Sequence, residues 1–174
     1  VPVMQNTLAE SEEGRYPILF QKEHHIRAGS GSFFVVDANV KKHHPDLNWP
    51  TEAMVWEPSE DRKSLVSVAE MLEAWEQAGK PQQWMIYGGG ILSDTAAFAA
   101  ALVGARFTFV PTTLLAMADA CVGGKTGVNF PPFGKNQVGL FDFPEQVIIC
   151  ERFLETLSRR HLNAGGAECL KHAL

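Results

Sequence analysis

Trp84-Met85-Ile86-Tyr87-Gly88-Gly89-Gly90-Ile91-Leu92-Ser93-Asp94 is the stretch that decides the fold class. Four large apolar residues run without a polar break, as in a strand buried on both faces. Three glycines follow, and beyond Asp94 the alanine-rich stretch 95–103 has the composition of a helix. A strand that passes through glycines into a helix lets backbone approach a phosphate closely and aims helix N–H groups at it. The same glycines suit a plain turn that needs positive φ, so these residues alone leave both roles open. The spacing is not the dinucleotide fingerprint Gly-x-Gly-x-x-Gly, because Ser93 stands where the last glycine belongs.

Working outward, Leu65, Val68, Leu72 and Trp75 recur at helical spacing, Ala69 widens the stripe, and Gly79 and Pro81 stop it. Further upstream, Tyr16–Phe20 and Ser32–Val36 read as strands, the second ended by Asp37, with a weaker strand at Ala53–Trp56. Residues 41–50 read as a loop or short helix. Downstream, Phe107–Val110 and Val147–Cys150 read as strands, Leu114–Ala120 as a short helix, and the pattern is helical again from Ser158. Strands alternating with helices predict an α/β, Rossmann-like, mostly parallel sheet with flanking helices. The segment between Val122 and Gln146, rich in Gly, Pro, Phe and Asn, reads as a long ligand-wrapping loop.

With 174 residues, 45% of them hydrophobic and 20% charged, the chain has the size and composition of one ordinary globular domain with a real core. A net charge of -5 argues against a general nucleic-acid binder. No apolar run approaches the ~20 residues of a membrane span, and the first residues lack the pattern of a secretory signal. Cys121, Cys150 and Cys169 are scattered without metal-type spacing, as free thiols of a cytoplasmic protein are. Val1 is not an initiator methionine and Leu174 falls within a helical pattern, so a piece of a longer protein is expected.

Several residues could carry chemistry. Asp94 is expected in the first turn of its helix, either easing the macrodipole or accepting from a ligand hydroxyl. Thr112 and Thr113 follow a strand end, where they could face a nucleotide or cap the next helix. Lys125 and Lys135 each follow glycine and suit a small anionic ligand. Gly123-Gly124-Lys125-Thr126 is superficially a Walker A loop, but Asp119 occupies the position of that motif's first glycine. Glu168 and His172 stand four apart on one helix face, as metal ligands do, yet an i,i+4 pair on a solvated face is the stronger reading, and two ligands do not close a zinc site. His24-His25 and His43-His44 read as surface residues.

Taken together, these residues resemble the 3-dehydroquinate synthases and the sugar phosphate cyclases related to them. The resemblance is carried by Glu60 to Leu65, Gly88 to Asp94, Val110 to Ala116, Asp119, Val122 to Thr126, Asn129, Gly134-Lys135-Asn136, Phe153 to Leu157 and Ala167 to Lys171. It implies that residues 1–157 form an NAD-binding α/β domain and that 158–174 begin a C-terminal metal and substrate domain. Glu60 and Lys63 would contact the adenosine side of NAD, with Asp37 among the cofactor residues. Gly89, Gly90, Ile91, Leu92, Ser93 and Asp94 would hold the pyrophosphate and nicotinamide ribose. Thr112, Thr113, Phe153, Leu154, Glu155 and Thr156 would line the nucleotide further. Asp119, Lys125, Lys135, Asn136 and Lys171 would face the substrate as catalytic residues, Lys125 and Lys135 also reaching the cofactor. Glu168 would be the first of three ligands to a divalent metal, zinc or cobalt.

The reaction so implied closes 3-deoxy-D-arabino-heptulosonate 7-phosphate, a small anionic sugar phosphate, into 3-dehydroquinate with loss of phosphate. NAD takes a hydride and returns it. The resemblance also implies a homodimer. The chain departs from the family pattern where it is two residues shorter between Asp94 and Arg106, where Val103 replaces the arginine expected to reach phosphate, where Gly166 stands in place of the usual leucine, and in that the two remaining metal histidines would lie beyond Leu174. Alternatives are another cyclase making 2-epi-5-epi-valiolone or 2-deoxy-scyllo-inosose, an iron-type alcohol or glycerol dehydrogenase, or a non-catalytic nucleotide-binding remnant.

Overall fold

The computed structural model describes residues 4–11, 14–26, 31–131 and 133–174. In chain order the elements are β1 (Met4–Ser11), β2 (Gly14–Gln21), β3 (Ser32–Asp37), α1 (Ala38–His43), β4 (Met54–Trp56), α2 (Leu65–Gln77), β5 (Gln83–Gly88) and α3 (Gly90–Leu102). They continue with β6 (Arg106–Pro111), β7 (Lys125–Phe130), β8 (Gly134–Phe141), β9 (Gln146–Cys150) and α4 (Arg159–Ala173). Seven strands form one sheet in the order β1-β2-β9-β6-β5-β3-β4. All neighbours are parallel except the β1–β2 pair. The α/β, mostly parallel architecture predicted from the strand–helix alternation is therefore present.

Strand alternation sends Phe33, Val35, Trp84 and Ile86 to one face of the sheet, where α2 and α3 cover them. It sends Phe34, Val36 and Tyr87 to the other, under Val40 of α1 and Phe153. Buried on both faces, β3 and β5 need their continuous apolar runs. From Thr95 to Ala100 every residue of α3 is buried, and its alanines let the helix lie close to the sheet. Helix α2 follows its predicted stripe with a rotation: Val68 and Met71 are buried, whereas Leu65 and Ala69 are exposed. It ends as expected, with Gly79 at φ 85°. No helix among the described residues is long and apolar enough to cross a membrane.

Three local expectations change. The glycine triplet does not use positive φ. A Cβ on Gly88 would lie 2.6 Å from Leu92, one on Gly89 3.0 Å from Thr113, and one on Gly90 3.2 Å from Ala120. These glycines therefore serve close packing between β5, α3 and the segment after β6. Second, α3 starts at Gly90, so Asp94 falls in its second turn rather than its first. Third, the segment 122–146 is not a structureless loop. Its strands β7 and β8 form an antiparallel hairpin with Gly127 opposite Gly139. A Cβ on Gly139 would stand 2.1 Å from the Thr126 carbonyl oxygen, which explains the glycine content that read as a loop.

From β3 the chain moves outward to β4, then returns past β3 to build β5, β6 and β9 on the other side. The order reverses between β3 and β5. In open α/β sheets, ligands bind in the crevice beyond the carboxyl ends of the strands at such a reversal.

Candidate functional site

The sequence-predicted residues gather at those carboxyl ends. Asp37 closes β3, the Gly88–Gly90 turn closes β5, Thr112 and Thr113 follow β6, and Phe153 to Thr156 follow β9. Asp37, Thr112, Thr113, Phe153 and Thr156 line one cavity of about 320 Å³. Asp94, Asp119, Lys125 and Asn136 line a second, of about 530 Å³, roofed by the β7–β8 hairpin. None of Gly88 to Ser93 lines either cavity, but Gly89 stands against Thr113 of the smaller and Gly90 against Ala120 of the larger. No side chain caps the N-terminus of α3, because its N-cap is Gly89. The first amides of a helix have no intrahelical acceptor, so they are left to a ligand or solvent.

Individual side chains divide by burial. Leu92 and Ser93 are fully buried, and Ser93 accepts from the Cys121 thiol at 3.4 Å, so only their backbone can meet a ligand. Ile91 packs against the core. Thr113 accepts from the Ala116 amide at 3.2 Å, which is the capping role weighed from the sequence, while still lining the smaller cavity. Leu154 packs in the second core cluster and Glu155 is exposed.

A polar network joins three elements above the larger cavity. Lys63, 6% exposed, donates to Asp94 Oδ2 and to Asn136 Oδ1, both at 2.5 Å. Burial raises the Asp94 carboxyl above its ordinary 3.8, with Asp119 and Glu60 adding to the rise and the Lys63 hydrogen bond and charge opposing it. Asn129, on β7, donates to Glu60 Oε1 at 2.9 Å and accepts from the Asn136 amide at 3.0 Å. Lys135 pairs with Glu60 at 3.1 Å in the open. The Asn129 and Lys135 contacts hold the Glu60 carboxyl below its ordinary range. Lys63 and Glu60 thus dock the hairpin onto the turn Glu60–Arg62, and Asn129 is the tie that sequence reasoning quoted without giving it a role.

Asp119 lies in a π-helical turn, Ala116–Ala120, a distortion often found at functional sites. Against this turn rests α4, whose one buried residue is Gly165. A Cβ there would lie 2.5 Å from Leu114 and 2.6 Å from the Leu115 amide nitrogen. That contact without a side chain brings Glu168 and His172 to Asp119. Lys171 pairs with Glu168 rather than reaching into the cleft. Val103 sits at the far end of the 13-residue α3, about 20 Å from the glycine turn, and packs on the core.

Two histidine pairs read as surface residues split. His25 and His43 are exposed, but His24 is buried and bonded to the Tyr87 hydroxyl at 3.0 Å. His44 is buried and bonded to Thr156 Oγ1 at 3.1 Å. Neighbouring polar residues hid them: each faces inward across an element boundary that periodicity cannot resolve. Asn39, His44 and His161 also line the smaller cavity, with no motif to mark them. The three thiols are free, Cys121 and Cys150 buried and Cys169 exposed.

Residues 53–164 match the family described as 3-dehydroquinate synthase N-terminal. The chain belongs to the 3-dehydroquinate synthase family. Within that family it is 37% identical over 161 residues to a 3-dehydroquinate synthase of Prochlorococcus marinus, covering 86% of this chain and 44% of the relative. It is 44% identical over 125 residues to a 3-dehydroquinate synthase of Opitutus terrae, covering 70% of this chain and 34% of the relative. This member of the 3-dehydroquinate synthase family therefore spans less than half the length of those relatives. Among solved structures, a 2-epi-5-epi-valiolone synthase from Streptomyces hygroscopicus, with NAD+ and Zn2+ bound, superposes with a TM-score of 0.80 at 29% identity. The likeness covers 92% of this chain and 50% of that one.

Proposed function

We propose that this chain is the NAD-binding half of a 3-dehydroquinate synthase, with residues 1–157 as the nucleotide domain and 158–174 opening the metal and substrate domain. One observation carries the reading: the cofactor residues implied by the resemblance, from four separate strand ends, converge on the sheet's point of reversal. Asp37, Thr112, Thr113, Phe153 and Thr156 would line the nucleotide, and the free amides at the start of α3 would hold the pyrophosphate. Glu60 and Lys63, expected on the adenosine side, lie instead with Asp94 and the β7–β8 hairpin and do not line that cavity. Bound NAD would supply reversible hydride transfer.

The larger cavity suits the sugar phosphate. Lys125 and Asn136 line it, with the Lys135 ammonium above, cations and donors of the kind that bind carboxylate and phosphate. Asp119 lines the same space, where its carboxylate can accept a hydrogen bond from a substrate hydroxyl. Glu168, at the edge of this region, offers a carboxylate for a divalent metal, and the mixed carboxylate–imidazole surroundings fit zinc or cobalt. A cytoplasmic homodimer belongs to the same reading.

The 29%-identical valiolone synthase favours one second reading, a cyclase acting on another sugar phosphate. Product analysis separates them. The full-length enzyme supplied with NAD and Zn2+ should release phosphate from 3-deoxy-D-arabino-heptulosonate 7-phosphate and yield 3-dehydroquinate. Lys125→Ala should lower that turnover about 100-fold or more, the usual loss for one charge-stabilising group. The 174 residues alone should not turn over. Preference for a rival cyclase's sugar phosphate, or undiminished turnover in Lys125→Ala, would contradict the assignment.

A further inference from the structure

Opposite Asn129 the β7–β8 hairpin loses its register. Val128 pairs with Val138 and Phe130 with Gly134, so Lys135, Asn136 and Gln137 together face one residue. A bulge of this kind re-aims side chains away from the directions a regular ladder would give them, and bulges recur beside active sites. At its centre Asn136 has φ 52°, the left-handed region that residues other than glycine seldom enter. Asn136 is exposed, so this conformation rests on hydrogen bonds rather than on burial. Its amide donates to Asn129 Oδ1 at 3.0 Å.

Asn129 is itself fixed. Its own amide donates to the Lys63 carbonyl at 2.8 Å. Its Nδ2 donates to Glu60 Oε1 at 2.9 Å and to the Glu60 carbonyl at 3.3 Å, which uses both hydrogens of the side-chain amide. The oxygen that grips the bulge is therefore anchored to the turn Glu60–Arg62 instead of riding on a free rotamer. Held this way, Asn136 lines the cavity of about 530 Å³ with its Oδ1 on Lys63 Nζ at 2.5 Å. A substrate oxygen would then meet Nδ2, the donor end of that amide.

We propose that Asn129 is a positioning residue for catalysis, holding the bulge at 135–137 so that Asn136 points into the substrate cavity. The inference rests on the proposed role of Asn136 toward the sugar phosphate. A double-mutant cycle on the full-length enzyme with NAD and Zn2+ tests it. Asn129→Ala should lower phosphate release about tenfold or more, as misplacing a group by about an ångström does. Asn136→Ala should lower it at least as far, and the double variant should fall no lower than Asn136→Ala alone, because no side chain is left to aim. Asn129→Asp keeps the oxygen that the Asn136 amide needs, and Glu60, half exposed, can turn to Lys135, so this variant should retain more turnover than Asn129→Ala.

In the 174-residue chain, Asn129→Ala should speed hydrogen exchange of the Asn136 amide about fivefold or more, while the amides of Trp84 to Tyr87 in β5 exchange as in the parent. Losses that add in the double variant, undiminished turnover in Asn129→Ala, or unchanged exchange at Asn136 would each overturn the proposal. A parent that prefers a rival cyclase's sugar phosphate contradicts the substrate assignment alone, since the cycle is read as phosphate release from whichever substrate it accepts.

Discussion

Lys63→Met is expected to destabilise the fold by about 3 kcal/mol at pH 7 and by no more than about 1.5 kcal/mol at pH 5. Methionine keeps the apolar stem but removes the ammonium that donates to Asp94 and Asn136. Asp94, whose side chain is 20% exposed, is then left largely buried and charged, which is the costly way to break such a pair. Its escape is to take up a proton. From an ordinary value of 3.8 that costs about 4 kcal/mol at pH 7, which bounds the loss, and less than half as much at pH 5.

The sign follows from linkage. In the variant the folded-state carboxyl lies above its unfolded value, so the folded chain binds more protons and its stability recovers as pH falls. Urea unfolding of parent and variant at the two pH values measures this. Equal losses at both would mean that Asp94 is not the group left behind. A Lys63→Met, Asp94→Leu double variant should regain most of the stability, because removing both partners leaves no buried charge.

The second large effect belongs to His24. Burial, with help from the neighbouring charges of His25 and Arg152, lowers its pKa from 6.5 to about 4. Between those values an unfolded chain takes up a proton that the folded chain refuses. Stability is therefore fully present above pH 6.5 and is lost as pH falls toward 4. At about 1.4 kcal/mol per pH unit the loss reaches about 2.5 kcal/mol by pH 4.5. His44, lowered mainly by burial, adds to the loss in the same direction. Comparing urea midpoints at pH 7 and pH 4.5 for the parent and His24→Gln isolates this histidine. The variant should show a distinctly shallower decline. An unchanged pH dependence would mean that His24 does not sit neutral against Tyr87.

Much of this was legible in the sequence. The apolar runs at Phe33–Val36 and Trp84–Tyr87 announced central parallel strands, because only burial on both faces tolerates them. Asp37, the glycine turn, the threonine pair and the segment from Phe153 could be placed at strand ends by counting strands. The β7–β8 hairpin could not, since glycines that permit two backbones to approach look the same as glycines that permit a loop. The packing role of the triplet was hidden for a related reason. Its glycines avoid collisions with Leu92, Thr113 and Ala120, and those partners are known only once the chain has folded. Asp119 with His172 was invisible as a pair because 53 positions separate them and only the seat at Gly165 joins them.

We propose that NAD occupies the crevice between β3 and β5. Calorimetric titration of the folded chain with NAD+ should give one site per chain. Gly89→Val, which pushes a branched side chain toward Thr113 and crowds the start of α3, should weaken that site about tenfold or more while circular dichroism shows the sheet retained. A folded chain that binds no NAD+ at millimolar concentration, or a Gly89→Val variant that binds it as tightly as the parent, would mean that this crevice is not the NAD site.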